Sequence, residues 1–224
     1  MQSLAVIGEM QRLLARLYDA HVEHDVRDFL VTNRCDLPAS PGAGTLTDEQ
    51  LVLVEPEAGA EGALRIALYI DAKVVDRLAE RSPFAALHHA NLADYCTALE
   101  GVSHFHYVVW CCARGRPVSL LELEMQAEVD KYVGAVLLSA AQSEGRFPRY
   151  LHQALFDRVR YAAGLDRESL ARYELANRHA AKFCRYLDER FLRQRRVRVE
   201  AWLAALRRFY RSSHCEKIRQ VSYA

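Results

Sequence analysis

The chain has 224 residues, of which 51 % are hydrophobic and 26 % are charged, with only 10 Gly and 6 Pro. This composition is typical of one large or two small globular domains, and it favours helices over a many-turn sandwich or barrel. No apolar run approaches the roughly 18–20 residues of a membrane span. Glu9 and Arg12 interrupt the first apolar segment, which argues against a secretory signal, so we expect a cytoplasmic protein.

Charge is divided unevenly along the chain. The 30 basic and 29 acidic residues nearly cancel overall. Residues 1–145, however, hold 11 basic and 21 acidic side chains, whereas residues 146–224 hold 19 and 8. This predicts an acidic α+β region, 1–145, and a basic helical region, 146–224, packed as one continuous domain.

The N-terminal part reads as a helix followed by a small sheet. Apolar residues at spacings of three and four, from Leu4 to Tyr18, predict the helix. Phe29–Thr32 is a candidate short strand, and residues 36–45 are rich in Gly and Pro, as in a loop. Leu51–Glu57 and Leu64–Asp71, joined by a glycine-containing connection, predict a β-hairpin, and Pro56 places the first strand at an edge or ends it there.

The middle of the chain is ambiguous. Ser82 and Pro83 form a typical helix start, and Arg114–Pro117 breaks the chain. From Leu121 to Asp130 apolar and polar residues alternate, which is the strand period, although Leu, Glu, Met and Gln are helix formers. We predict a helix over about Leu121–Ala141, with a β-hairpin over residues 104–130 as the alternative.

The C-terminal part reads as helices with clear boundaries. Gly145 and Pro148 end one helix, Gly164 ends the next, and Asp166 is an N-cap candidate. Two stripes at helical spacing lie beyond it, and they contain Ala176, Ala180, Phe183, Cys184, Leu187 and Phe191, then Val199, Trp202, Leu203, Leu206 and Tyr210. The fold class we expect is α+β, predominantly α-helical, with a small antiparallel hairpin or sheet near residues 51–71.

Arginines dominate the basic region, where 17 of the 19 basic residues are Arg. Guanidinium groups bind phosphate or carboxylate through paired hydrogen bonds. The candidate partner-binding or nucleic-acid-binding residues are Arg178, Lys182, Arg185, Arg193, Arg195, Arg196, Arg198, Arg207, Arg208 and Arg211. Because the two regions nearly cancel in charge, pairing with the acidic region or with another subunit is favoured over nucleic acid, and an anionic membrane surface is disfavoured.

A group of Glu and His residues could instead hold a metal ion. Glu100 and His104 are four residues apart, so a helix would place them on one face. Glu124, Glu128 and Lys131 would share a side of a helix, whereas Glu122 would share a face with Glu124 on a strand. The metal candidates are Glu100, His104, Glu124 and Glu128, and the catalytic candidates are Glu122, Glu124, Glu128 and Lys131.

These patterns support two hypotheses about function. The sequence has no phosphate-binding loop, dinucleotide turn, GxSxG or HExxH, and we expect its six cysteines to be reduced and mostly buried. The first hypothesis is a non-catalytic binding or assembly protein without a cofactor, whose Arg-rich helices contact an acidic partner. The second is a phosphodiesterase or nuclease that uses a divalent metal such as Mg²⁺ or Mn²⁺.

Overall fold

The computed structural model describes residues 2–37, 48–54, 65–148, 150–159, 161, 164–193 and 198–223. The fold is predominantly helical α+β, as predicted, with 69 % helix and a three-stranded mixed sheet. The helices are α1 Gln2–Tyr18, α2 Ala72–Glu80, α3 Leu92–Cys112, α4 Leu120–Gln142, α5 Tyr150–His152, α6 Arg167–Leu187, α7 Val199–Arg211 and α8 His214–Ser222. Helices α5 and α6 continue as π-helical turns over Gln153–Asp157 and Asp188–Leu192.

The sheet contains the predicted hairpin. Strands β2 (Glu49–Val54) and β3 (Arg65–Ile70) are antiparallel, with Leu51 opposite Leu68. The short strand β1 (Leu30–Val31) pairs with β3 in parallel, so the order is β1-β3-β2. Strand β2 therefore lies at an edge among the described strands. Pro56, the predicted connection at 58–62 and most of the predicted loop at 36–45 lie outside the described residues.

Helix α4 resolves the ambiguity in the middle of the chain. It starts after Ser119, whose hydroxyl accepts a hydrogen bond from the backbone N–H of Glu122, and it packs on both α3 and α6. Residues 104–112 also belong to a helix, so the alternative hairpin is wrong. The alternation at 121–130 was misleading because α4 is enclosed on several sides, and even the polar members Glu122, Glu124, Gln126 and Asp130 are buried.

The predicted helix start at Ser82-Pro83 is wrong. These residues form a turn after α2, and α3 begins only at Leu92. The buried side chain of Asn91 stabilises this turn, because its Nδ2 donates to the carbonyls of Arg81 and Ala86 and its Oδ1 accepts from the His88 N–H. A sequence motif for capping was outweighed by this local hydrogen-bond network.

The C-terminal predictions have mixed outcomes. Asp166 caps α6 by accepting from the Ser169 N–H, and all six residues of the predicted α6 stripe are buried. The preceding helical segment ends at Asp157, earlier than the predicted end at Gly164. Among the cysteines, which are all free, only Cys111 and Cys184 are buried, so the expectation that most would be buried is wrong.

Two glycines bring α3 close to its neighbours. A Cβ atom at Gly101 would lie 2.9 Å from Leu68 Cδ1 on β3 and 3.3 Å from Glu49 Oε2 on β2. A Cβ atom at Gly134 of α4 would overlap the Tyr95 hydroxyl of α3. The missing side chains let α3 lie against the sheet on one side and against α4 on the other. No helix within the described ranges is long and apolar enough to cross a membrane.

Candidate metal centre

Helices α3 and α4 and strand β2 bring a group of ionisable side chains together. Glu100 and His104 lie one turn apart on α3, and Glu124 lies on α4. One ligand atom from each of the three lies within 4.8 Å of the others. The sequence predicted the Glu100–His104 pair and the helical position of Glu124, and the structure shows that these two helices meet at these residues.

His104 lies at the centre of the group and is 95 % buried. Its Nε2 is 3.4 Å from Glu124 Oε2, and its Nδ1 is 3.9 Å from Glu49 Oε2. Nε2 makes no hydrogen bond to any residue that the structure describes. Burial alone lowers the pKa of His104, but Glu124, Glu49 and Glu100 outweigh it and raise the pKa to about 9. The imidazole is therefore protonated at neutral pH.

Lys131 joins the two outer carboxylates. Its Nζ lies 2.8 Å from both Glu100 Oε2 and Glu128 Oε1, and all three side chains are largely buried. Burial raises the pKa of Glu100, but Lys131 and His104 more than compensate and lower it. At Glu128 burial outweighs the attraction of Lys131, so its pKa is raised. The ammonium group thus orients two carboxylates and neutralises part of their charge.

Two further side chains, which sequence reasoning missed, complete the surroundings. Burial and the neighbouring Glu100 raise the pKa of Glu49 to about 8. Burial, and then the charges of Glu124, Glu100 and Glu49, raise the pKa of Tyr173 on α6. With Glu49 protonated, as its raised pKa indicates, the other three glutamates and the two cations carry a net charge of −1 when ionised. Such a buried negative centre attracts cations.

The other Glu and His residues near this group in sequence lie outside the candidate metal centre. Glu122 is fully buried on a different face of α4, where it accepts hydrogen bonds from Arg116 and from the Tyr107 hydroxyl, the latter at 2.6 Å. The Nδ1 of His106 is 2.9 Å from the Tyr210 hydroxyl. His88 and His89 belong to the turn before α3. The structure therefore unites Glu124, Glu128 and Lys131 but leaves Glu122 outside the centre.

A second buried polar network shows what a purely structural cluster looks like in this protein. Asp130 accepts hydrogen bonds from Ser103 Oγ at 2.6 Å, Gln126 Nε2 at 2.8 Å and the Tyr18 hydroxyl. Lys217 of α8 donates to Gln126 Oε1 at 2.6 Å. Every member has a hydrogen-bond partner, which distinguishes this network from the one around His104.

The predicted arginine surface is only partly free. Arg207 donates to the carbonyl oxygens of Arg16 and Leu17, and Arg211 donates to those of Tyr18 and Asp19. These two arginines satisfy the last carbonyls of α1, which belongs to the acidic region. The remaining described members are exposed, namely Arg178, Lys182, Arg185, Arg193, Arg198 and Arg208. Arg195 and Arg196 lie outside the described residues.

Comparison with known proteins does not give the chain a family. No family model, curated protein or solved structure matches it. The function of this protein must therefore be inferred from the geometry of the site itself.

Proposed function

We propose that the protein binds a divalent metal ion through Glu100, His104 and Glu124. The observation that carries this proposal is the position of His104 Nε2, which is buried, lacks a hydrogen bond to the described residues and faces a carboxylate at 3.4 Å. The ion pair with Glu124 leaves this buried ring nitrogen without a well-formed hydrogen bond, and metal coordination would satisfy both groups. The proton that His104 carries at neutral pH would leave when the ion binds.

The spacing of the three side chains fits a shared ion after a small adjustment. Ligand atoms about 2.1 Å from one ion lie roughly 3.0–4.2 Å apart, depending on the angle between them. The separation of His104 Nε2 and Glu124 Oε2 is already within this range. The three ligand atoms lie within 4.8 Å of one another, so a pair at that limit would have to approach by about 0.6 Å on opposite sides of the ion and by about 1.4 Å in a tetrahedral set.

The ligand types indicate which ions suit the site. Carboxylates favour Mg²⁺ and Mn²⁺, whereas imidazole favours Zn²⁺, Fe²⁺ and other transition metals. A site with one imidazole and several carboxylates therefore suits Mn²⁺, Fe²⁺ or Zn²⁺ better than Mg²⁺. Lys131 pairs with Glu100 and Glu128. Its ammonium group therefore neutralises carboxylate charge that would otherwise require a second metal ion.

The reaction that we propose for this centre is hydrolysis of a phosphodiester. A divalent ion held by Glu100, His104 and Glu124 would lower the pKa of a coordinated water and so would make hydroxide available near neutral pH. Glu49, whose raised pKa keeps its carboxyl protonated near neutral pH, is positioned as a proton donor beside His104. Lys131 is a positioning residue, because its ammonium group holds the carboxylates of Glu100 and Glu128 in place.

Metal analysis and a hydrolysis assay test this proposal together. The purified protein is loaded with Mn²⁺ and assayed with bis(p-nitrophenyl) phosphate, alongside Glu124→Gln and His104→Gln. We expect about one bound ion per chain and metal-dependent hydrolysis, with both reduced at least tenfold in the two variants. Glu80→Gln, at an exposed position of α2, is the matched control. Unchanged metal content in both variants would refute the metal centre, and metal binding without hydrolysis would refute only the reaction.

A second candidate function is binding of an acidic partner by α6. Arg178, Lys182 and Arg185 are spaced by four and three residues and are all exposed, so they form one basic face. We propose that this face contacts an acidic protein or a phosphate backbone. Charge reversal at Arg178 and Arg185 should abolish binding to duplex DNA or change the oligomeric state. For DNA, the logarithmic salt dependence should lose a slope of about 0.9 for each lost phosphate contact. No change in either measurement would reject this function.

A further inference from the structure

A cavity lies away from the metal centre, where α4 meets the π-helical turn that continues α6. Its volume is about 140 Å³. Its lining is about half polar, and its apolar part comes from two aromatic rings and three aliphatic side chains, namely Tyr132, Val136, Phe147, Pro148 and Leu192. The charged groups at this cavity are the carboxylate of Asp188 and the guanidinium of Arg193.

Asp188 has one oxygen bound and one oxygen free. The residue is 93 % buried, and its Oδ2 accepts a hydrogen bond from the Tyr132 hydroxyl at 2.5 Å. Its Oδ1 is buried and has no hydrogen-bond partner among the described residues. Removing a carboxylate oxygen from water is unfavourable unless a hydrogen-bond donor reaches it. Oδ1 is therefore able to accept a hydrogen bond from a bound ligand.

Arg193 does not donate a hydrogen bond to the Asp188 carboxylate. Its Nη2 is 3.8 Å from Asp188 Oδ2, which is too long for a hydrogen bond, and 44 % of its side chain is exposed. Burial raises the pKa of Asp188 despite the Tyr132 hydrogen bond and the nearby Arg193. Asp188 is also the first residue of a π-helical turn, and such turns are rare but are found frequently at functional sites.

We propose that this cavity binds a small primary ammonium ligand, with its charged nitrogen on the Asp188 carboxylate and its carbon chain against the apolar side chains of the lining. A cavity of about 150 Å³ holds a molecule the size of benzene, so the ligand has about six non-hydrogen atoms. The faces of Tyr132 and Phe147 suit a cation as well as an alkyl chain. This site shares no residue with the proposed metal centre and does not depend on it.

Titration of the metal-free protein with n-butylammonium, observed by NMR, tests this proposal, with 1-butanol as the neutral probe of the same size. We expect saturable binding of n-butylammonium with a Kd on the order of 1 mM and at least tenfold weaker binding of 1-butanol. Asp188→Asn keeps an oxygen that can accept from Tyr132 but removes the charge, so the preference for the ammonium should disappear.

Arg193→Gln provides a second, independent measurement. Because the guanidinium competes for the same carboxylate, its removal should strengthen n-butylammonium binding several-fold. Equal affinity for the two probes, or no binding of either, would overturn the proposal. If Asp188→Asn does not fold, the Arg193 variant decides: unchanged or weaker ammonium binding would then overturn it.

Discussion

The protonated state of His104 makes a quantitative prediction for the stability of the metal-free protein. In the folded state Glu124, Glu49 and Glu100 raise the pKa of this imidazole to about 9, against an ordinary value of 6.5. A group whose pKa is raised by folding stabilises the native state fully below its unfolded pKa. That contribution is then lost as the pH rises through the folded value. The free energy of unfolding contributed by His104 therefore declines between pH 6.5 and pH 9.

The expected size of this decline is about 3 kcal/mol, because each tenfold difference in proton affinity corresponds to about 1.4 kcal/mol. The pH dependence of the wild-type unfolding free energy does not by itself isolate the contribution of His104. Burial lowers the pKa of Lys217 to about 7, so that residue changes stability in the opposite sense over the same range. The informative quantity is the difference in unfolding free energy between wild type and His104→Gln, in which groups distant from His104 cancel and the linked titration of Glu49 is retained.

Urea unfolding at several pH values between 6 and 9.5, with chelator present, measures this difference. His106→Gln is the matched control, because the same helix buries His106 as a neutral ring whose pKa is lowered to about 4. We expect the difference from wild type to fall by about 3 kcal/mol for His104→Gln, whereas for His106→Gln it should rise by less than about 1 kcal/mol up to about pH 7 and then stay constant. A constant difference for His104→Gln would show that folding does not raise the pKa of His104 and would refute the reasoning.

The other buried groups lead to three further expected outcomes. Lys131→Met leaves two buried carboxylates without their shared cation and should destabilise the protein by about 3–5 kcal/mol in urea unfolding at pH 8, whereas Lys73→Met at an exposed position should have little effect. Lys217→Met should remove a rise in stability between about pH 7 and pH 10.5, because the lowered pKa disfavours the charged amine in the folded core. Gly134→Ala should cost about 1–3 kcal/mol, because its methyl group would overlap the Tyr95 hydroxyl, and a lower melting temperature would show it.

The parts of the site that depend on helical geometry could be predicted from the sequence. Residues four apart on a helix share a face, so Glu100 and His104 were paired correctly, as were Glu124 and Glu128. The hydrophobic spacing likewise located α6, and the β-rich segments located the hairpin. These predictions need only local geometry, which the spacing of residues determines.

The parts that depend on long-range packing could not be predicted. Glu49 reaches His104 only because Gly101 lets α3 lie close to the sheet, and no local pattern encodes that approach. The sequence also could not show that Arg207 and Arg211 hold the end of α1, because the partners are backbone carbonyls about 190 residues away in sequence. At Ser82 the capping signal was present, but the side chain of Asn91 fixed a turn there instead.

Calorimetric titration of the metal-free protein with Mn²⁺ tests the metal centre most directly. Measured at pH 8 in two buffers with different ionisation enthalpies, it reports both the number of ions and the protons released. We predict one ion per chain and release of about one proton, which comes chiefly from His104. Glu100→Gln, His104→Gln and Glu124→Gln should each abolish this binding, and Glu80→Gln should not. Saturable binding that persists in all three variants, or no saturable binding to the wild type, would contradict a metal centre at these residues.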